Sequence, residues 1–513
     1  MDIILKTNLL FTAVDEEVRE GFVAIRGNKI AKTGTLDEIE QYIEEDTKVY
    51  DLTGQVVAPG FVDNHVFFTG YMWQRLGFDA SGADSEDEVI ERITEAAAGM
   101  PAGAAVLGHG LKDGLEFASD RLNELFPERP VAVFADSREY CFMNRAAQER
   151  YGFSGDACWA EQCFRLFEEI LRDKDYSREQ YGAFQELLAS KGITSIKEIG
   201  FDSYSGFTDV LKSLEDEGKL THRINLVSQP VAGDADFEYG EKCRKMFDGE
   251  KLRFMGYNIM VDGDIESGDG DLLDGYKDRP GVCCGMDIDY AALEKTVLEA
   301  DKRGFRCALH AEGDSAVRKS IDIFEKCREV NGARDARHAL VDVELIDPAD
   351  RKRLKELDIS AIEYIQIMNC YGSYEEYWDT DILSEERAKN IWAYKSTLED
   401  GARLCFGTDL PLDVPDIPLS MRCGVYRLFP GDDTPEGGYH REEALTPAQI
   451  LTCWSKNGQA ANFEECRLGT LEEGKLADIA VLDSDVFHCG LEELKKAEVS
   501  MTIFDGRIVY KKQ

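Results

Sequence analysis

Four residues able to move protons or ligate a metal stand at or near the ends of apolar runs. His65 ends VVAPGFVDNH, His310 ends RCALH, Asp342 closes RHALVD and Asp409 ends RLCFGTD. Two imidazoles and two carboxylates suit Zn2+ or another borderline divalent ion that keeps one position open for water. Such an ion acidifies its water, and Asp409 and His310 are then the candidate catalytic proton carriers. Taken singly, each residue is more at home as a hydrogen-bonded polar group at a strand end. Only the set of four suggests a site.

Neighbouring positions are candidates for substrate contacts. Phe67, two residues after His65, makes one side of a pocket apolar, and Asn258 lies in the run GYNIMVDG. Asp262 opens the acidic stretch DGDIESGDGDL, which either steers a cationic group towards a pocket or is a solvated loop. A calcium loop is excluded there, because Ser267 and Leu273 stand where that pattern needs Gly and Glu. Arg138 can clamp a substrate carboxylate or form a structural salt bridge. Gln366 and Asn369, in EYIQIMNCYG with Tyr364 and Tyr371, are expected to line the pocket, with packing the expected role of the two tyrosines.

Bringing such distant residues together requires a scaffold. Runs such as TSIKEIG, RINLVSQ, LRFMGYNIMV, RCALHAEG, ISAIEYIQ and RLCFGTD recur between amphipathic stretches such as YAALEKTVLEADKRG and DSAVRKSIDIFEKCREVNG. Strands alternating with helices predict parallel α/β architecture, and about eight units in roughly 400 residues favour a closed (β/α)8 TIM-like barrel. In that fold the working residues lie at the C-terminal ends of the strands, which directs attention to His65, Glu198, Asp262, His310, Asp342, Gln366 and Asp409. Residues 70–185 contain more than one βα unit needs and read as an insertion in a barrel spanning 59–464. The chain ends, 1–58 and 465–513, alternate in the manner of strands. Each is too small for its own core, so together they predict a small β-sandwich domain.

The 513 residues are 43% hydrophobic and 10% aromatic, a globular composition. A formal net charge of −41 argues against nucleic acid and anionic membrane as partners. No apolar run approaches the roughly 20 residues of a membrane-spanning helix. The N-terminus has no basic start with an apolar core and cleavage site, and fourteen Cys without CxxC pairs suit a reducing compartment, so a cytoplasmic location is expected. A small-molecule substrate is the expected partner, with a homodimer left open.

The order of motifs DLTGQVVAPGFVDNH, GITSIKEIG, NIMVDGDIESG, ALHAEGDSAV, RHALVDVELIDPAD, LCFGTDLPL and LGTLEEGKLADIAVLD resembles the amidohydrolase superfamily, in its amidohydrolase-3-like branch that includes N-substituted formamide deformylases. The resemblance runs nearly end to end. It implies a metal-dependent hydrolase barrel completed by a β-sandwich from both ends, acting on a non-peptide carbon–nitrogen bond. Key positions depart from the family pattern. His-x-His on the first strand is His65-Val-Phe67, the frequent bridging Lys falls on Asn258, and the His of the sixth strand is replaced by Asp342. His310 and Asp409 are kept. His338, four residues before Asp342, lies roughly 13 Å back along a strand and cannot compensate. A two-metal centre is therefore not expected. Two readings remain for the cofactor: one divalent ion (Zn, Mn or Fe) on His65, His310, Asp342 and Asp409, or a metal-free site. Three remain for the function: a C–N hydrolase, a metal-free lyase, isomerase or decarboxylase using the same mouth, and a non-catalytic ligand-binding relative.

Overall fold

Eight short, almost wholly buried runs hydrogen-bond side by side in chain order. They are β1 (Phe61–Val66), β2 (Ile193–Phe201), β3 (Arg223–Gln229), β4 (Leu252–Met260), β5 (Arg306–His310), β6 (Ala339–Val341), β7 (Ser360–Glu363) and β8 (Arg403–Phe406), and every pair is parallel. This is a computed structural model, which describes the whole chain except residues 113, 116–118, 136–139, 156, 160–163, 202–204, 231–234, 433, 435–436 and 513. Just beyond β8 a parallel bridge joins Leu410 to Val66, and the Asn64 amide donates to the Phe406 carbonyl at 3.3 Å, so the sheet curls into the expected barrel.

Small and branched side chains fill part of the barrel interior, among them Ala308, Ala339, Val341, Ile362 and Cys405, with Ala461 beneath. Parallel strands need covered faces, and the crossover helices supply the cover. Tyr290–Lys302 starts at Asp289, whose carboxylate accepts from the backbone N–H of Ala291 and Ala292. Pro348–Glu356 starts at Asp347 with Pro in its first turn. Both follow the usual logic of a helix N-terminus.

Between β1 and β2 the insertion carries a five-stranded sheet over Phe78–Asp79, Val106–Leu111, Val131–Ala135, Tyr140–Met143 and Ala157–Trp159. The runs AAVLGHG and PVAVFAD supply two of these strands. A third, mixed sheet joins the chain ends. Val56–Pro59 pairs antiparallel with Ile479–Leu482, and Leu5, Val23, Val57, Val481 and Ile503 share one apolar cluster. Among the described residues no helix is long and apolar enough to cross a membrane.

Candidate active site at the barrel mouth

The four expected ligands converge, as two pairs. His65 Nε2 stands 3.5 Å from Asp409 Oδ1, and His310 Nε2 stands 3.4 Å from Asp342 Oδ2. The two imidazole centroids are 6.5 Å apart. Tyr364, just past β7, packs against both, 5.4 Å from the His65 ring and 6.4 Å from the His310 ring, and its buried hydroxyl has no hydrogen-bond partner. Phe67 meets His65 edge-on at 5.4 Å.

Both aspartates adopt left-handed backbone, φ +53° at Asp342 and φ +49° at Asp409. That conformation costs a non-glycine residue roughly 1–3 kcal/mol and persists where surroundings enforce it. Here the Asp342 N–H donates to the Ile362 carbonyl at 2.8 Å, and the Asp409 N–H donates to the His65 carbonyl at 2.9 Å. The strand ends therefore set the turns that place the two carboxylates.

Electrostatics separate the two histidines. Burial, with the charges of His310 and Lys197, drives the His65 pKa well below the usual histidine range, so this imidazole is neutral. Burial also opposes charge on His310, but the Asp342, Asp409 and Asp262 carboxylates outweigh it and raise its pKa to about 9. Lys197 is fully buried with an unpartnered side-chain nitrogen, and burial pushes its pKa well down.

A third donor joins the second pair. Ligand atoms of His310, Glu312 and Asp342 all lie within 4.8 Å of one another. Two donors each about 2.1 Å from one tetrahedral ion stand about 3.4 Å apart, the His310–Asp342 spacing, and the His310 Nδ1 is buried without a partner. The residues fit a divalent ion. Glu312 was missed in the sequence, although it lies two residues past His310 in ALHAEGD.

A second cluster, Asp301, Cys327 and His338, does not fit. His338 Nδ1 accepts the Cys307 backbone N–H at 3.1 Å, which leaves Nε2–H to donate to Asp301 at 3.1 Å and no lone pair for a metal. Arg334 also occupies the Asp301 carboxylate.

Several expected substrate contacts turn out to be scaffold. Asp262 is 2% exposed, and its oxygens accept the backbone N–H groups of Asp271, Glu312 and Gly313 at 2.8–3.0 Å, so it ties the loop after β4 to the end of β5. Gln366 bonds the Val414 carbonyl, the Asp416 N–H and the Ser420 hydroxyl. Asn369 is exposed and donates to Asp413. Glu198 accepts the Phe68 N–H at 3.0 Å and anchors the segment after β1. Asn258 is buried in β4, its amide donating to Gln229 at 2.7 Å while its carbonyl oxygen is unpartnered. Arg138 lies outside the described residues.

The profile of the Amidohydrolase family matches residues 48–510. The putative amidohydrolase YtcJ of Bacillus subtilis strain 168 is 25% identical over 541 residues, covering 100% of both chains. The N-substituted formamide deformylase of Arthrobacter pascens is 24% identical over 530 residues, covering 96% of this chain and 95% of its own. Among solved structures, an uncharacterized metal-dependent hydrolase from Pyrococcus horikoshii OT3 superposes with a TM-score of 0.77 at 20% identity, covering 96% of this chain and 99% of that one.

Proposed function

Because the chain belongs to the amidohydrolase family, we propose that it hydrolyses an amide or cyclic-amide carbon–nitrogen bond of a small molecule with one divalent ion at the barrel mouth. The observation that carries this reading is the mutual approach of His310, Glu312 and Asp342 within 4.8 Å beside the His65–Asp409 pair. One imidazole and two carboxylates form a harder donor set than the multi-histidine sites of zinc enzymes, which favours Mn2+ or Fe2+ over Zn2+. When bound, the ion supplies Lewis acidity and lowers the pKa of its water.

The remaining roles belong to the chain. Asp409 takes the proton of the attacking water, and neutral His65, 3.5 Å away, positions that carboxylate. The Tyr364 hydroxyl, buried and without a partner, donates to the substrate carbonyl. Phe67 dries one wall, and the unpartnered Asn258 oxygen accepts from a substrate N–H. The deformylase named above makes N-substituted formamides the first panel to try.

Protein purified without added metal is expected to carry about one equivalent of Mn, Fe or Zn, with chelation removing metal and turnover together. Turnover that survives complete metal removal would overturn the reading and leave His310 and Asp409 as a metal-free acid–base pair.

A further inference from the structure

Five buried acids elsewhere in the molecule are neutralised by arginine or lysine. Asp271 pairs with Lys319, Asp301 with Arg334, Asp314 with Arg387, Asp350 with Arg318 and Asp478 with Arg223. The acids at the barrel mouth are not. Among the described residues no lysine or arginine pairs with Asp264, Glu266, Glu312, Asp342 or Glu344, and His310 is their one ion-pair partner, on Asp342. One ion on His310, Glu312 and Asp342 leaves Asp264, Glu266 and Glu344 uncompensated.

These three run from the rim inwards: Glu266 is exposed, Asp264 half-buried and Glu344 buried. Glu344 is only 6% exposed, and its carboxylate makes no hydrogen bond to any described residue. Burial, with the charges of Asp342, Glu266 and Asp264, raises its pKa well above the usual carboxylate range. The acids come from the loops after β4 and β6. The loop after β7 faces them with aromatic side chains: Tyr371 and Trp378 present donors towards Glu266, and Glu344 is the charge that acts first on the phenols of both Tyr371 and Tyr377, after burial. The Tyr377 ring lies 5.0 Å from Tyr371 and 5.1 Å from Trp378. Tyr377 is 5% exposed, yet its hydroxyl has no partner. Unpaired carboxylates beside electron-rich rings are the chemistry that holds an organic cation, by charge and by cation–π attraction.

We propose that Glu344, Glu266 and Asp264, walled by Tyr371, Tyr377 and Trp378, bind an ammonium or amidinium group on the substrate and so select cationic amides. This rests on the hydrolase reading for what happens at the other end of the molecule, but the subsite is tested separately. The probe is n-pentylammonium, titrated calorimetrically into the full-length protein at constant ionic strength, with 1-pentanol as the neutral control. Saturable binding of the ammonium, about tenfold or more tighter than the alcohol, is expected. Glu344→Gln and the rim substitution Glu266→Gln should each weaken it about fivefold or more while leaving bound Mn2+ per chain unchanged. Equal binding of the alcohol, or ammonium affinity unaffected by Glu344→Gln, would overturn the proposal. So would two Mn2+ per chain falling to one in that variant, which would make this a second metal site. Matched substrates, the mono-N-formyl derivative of a linear diamine and N-formylpentylamine, separate the two readings. Equal hydrolysis of both sinks the cation subsite and spares the hydrolase. Ammonium binding with neither substrate hydrolysed supports the subsite and sinks the hydrolase reading.

Discussion

His310 is where proton and metal compete. A lone pair must be free for an ion to bind, yet the surrounding carboxylates raise this imidazole's pKa to about 9 against the opposing effect of burial. At neutral pH the metal-free side chain is therefore charged, and an incoming ion displaces its proton. The sign follows: affinity is low where His310 is protonated and rises with pH until the group titrates. The apparent Mn2+ association constant should climb about tenfold per pH unit from pH 6 to 8, less steeply towards 9, and flatten above. Calorimetry in buffers of different ionisation enthalpy counts the released protons. Asp342→Asn removes the neighbour that contributes most to raising the pKa, so this variant should bind Mn2+ more weakly with a shallower pH slope. A pH-independent affinity in the unsubstituted protein would place the ion elsewhere.

At the scale of elements, the site depends on the seam between β1 and β8. Asp63, inside β1 and fully buried, accepts the Thr408 N–H at 3.1 Å, the Thr408 hydroxyl at 2.6 Å and the His65 N–H at 3.2 Å. It clasps the residue before Asp409 and the backbone of His65 at once. Asp63→Ala would leave these donors buried and unmatched, at a cost of about 1–3 kcal/mol for each group that finds no water. A lowered urea midpoint with turnover reduced beyond the loss of folded protein is expected, and unchanged turnover in the folded fraction would show that the clasp does not position the pair. The seam also explains what could be read in advance. His65, His310 and Asp409 each end an apolar run, so strand periodicity and barrel geometry place them at one rim. Glu312, Asp264 and Glu344 carry no such mark, because an acid in a loop looks the same whether it faces solvent or folds back over the mouth. Gln366 and Asn369 misled for the opposite reason: the chain turns sharply at Ile367–Cys370, so one side chain bonds inward to scaffold and the other outward to Asp413. Phe67 and Asn258 marked the departure from the family's ligand pattern, and the compensating acid sits on the neighbouring strand end, where a comparison of matching positions does not look.

Across the whole molecule, the mixed sheet and the barrel are joined at the end opposite the mouth. Arg223, the first residue of β3, donates from Nε and Nη2 to the Asp478 carboxylate at 3.0 and 3.2 Å, and the Asp505 N–H adds a third bond at 2.8 Å. Both side chains of the ion pair are below 5% exposed. The Asp478 carbonyl accepts the Gly60 N–H at 2.8 Å, and the Phe504 ring stacks below the guanidinium at 5.0 Å. One junction thus ties the C-terminal strands to the entry of β1 and the start of β3. An ion pair this deep is weak evidence of net stabilisation, because desolvation offsets its attraction; breaking one side costs about 3–5 kcal/mol where the remaining charge is left alone, and here Asp505 Oδ1 stays 3.5 Å from Arg223 Nη2. Asp478→Ala should therefore lower the unfolding free energy read from the urea transition by about 3 kcal/mol or less, whereas Arg223→Met with Asp478→Leu should recover much of it by replacing the charges with apolar packing. Because the junction lies at the far end of the barrel, the folded Asp478→Ala protein should keep wild-type metal content and turnover, in contrast to Asp63→Ala. Loss of metal from the folded variant would show that the chain ends act on the mouth through the barrel strands, and an unmoved midpoint would show that the two sheets do not unfold together.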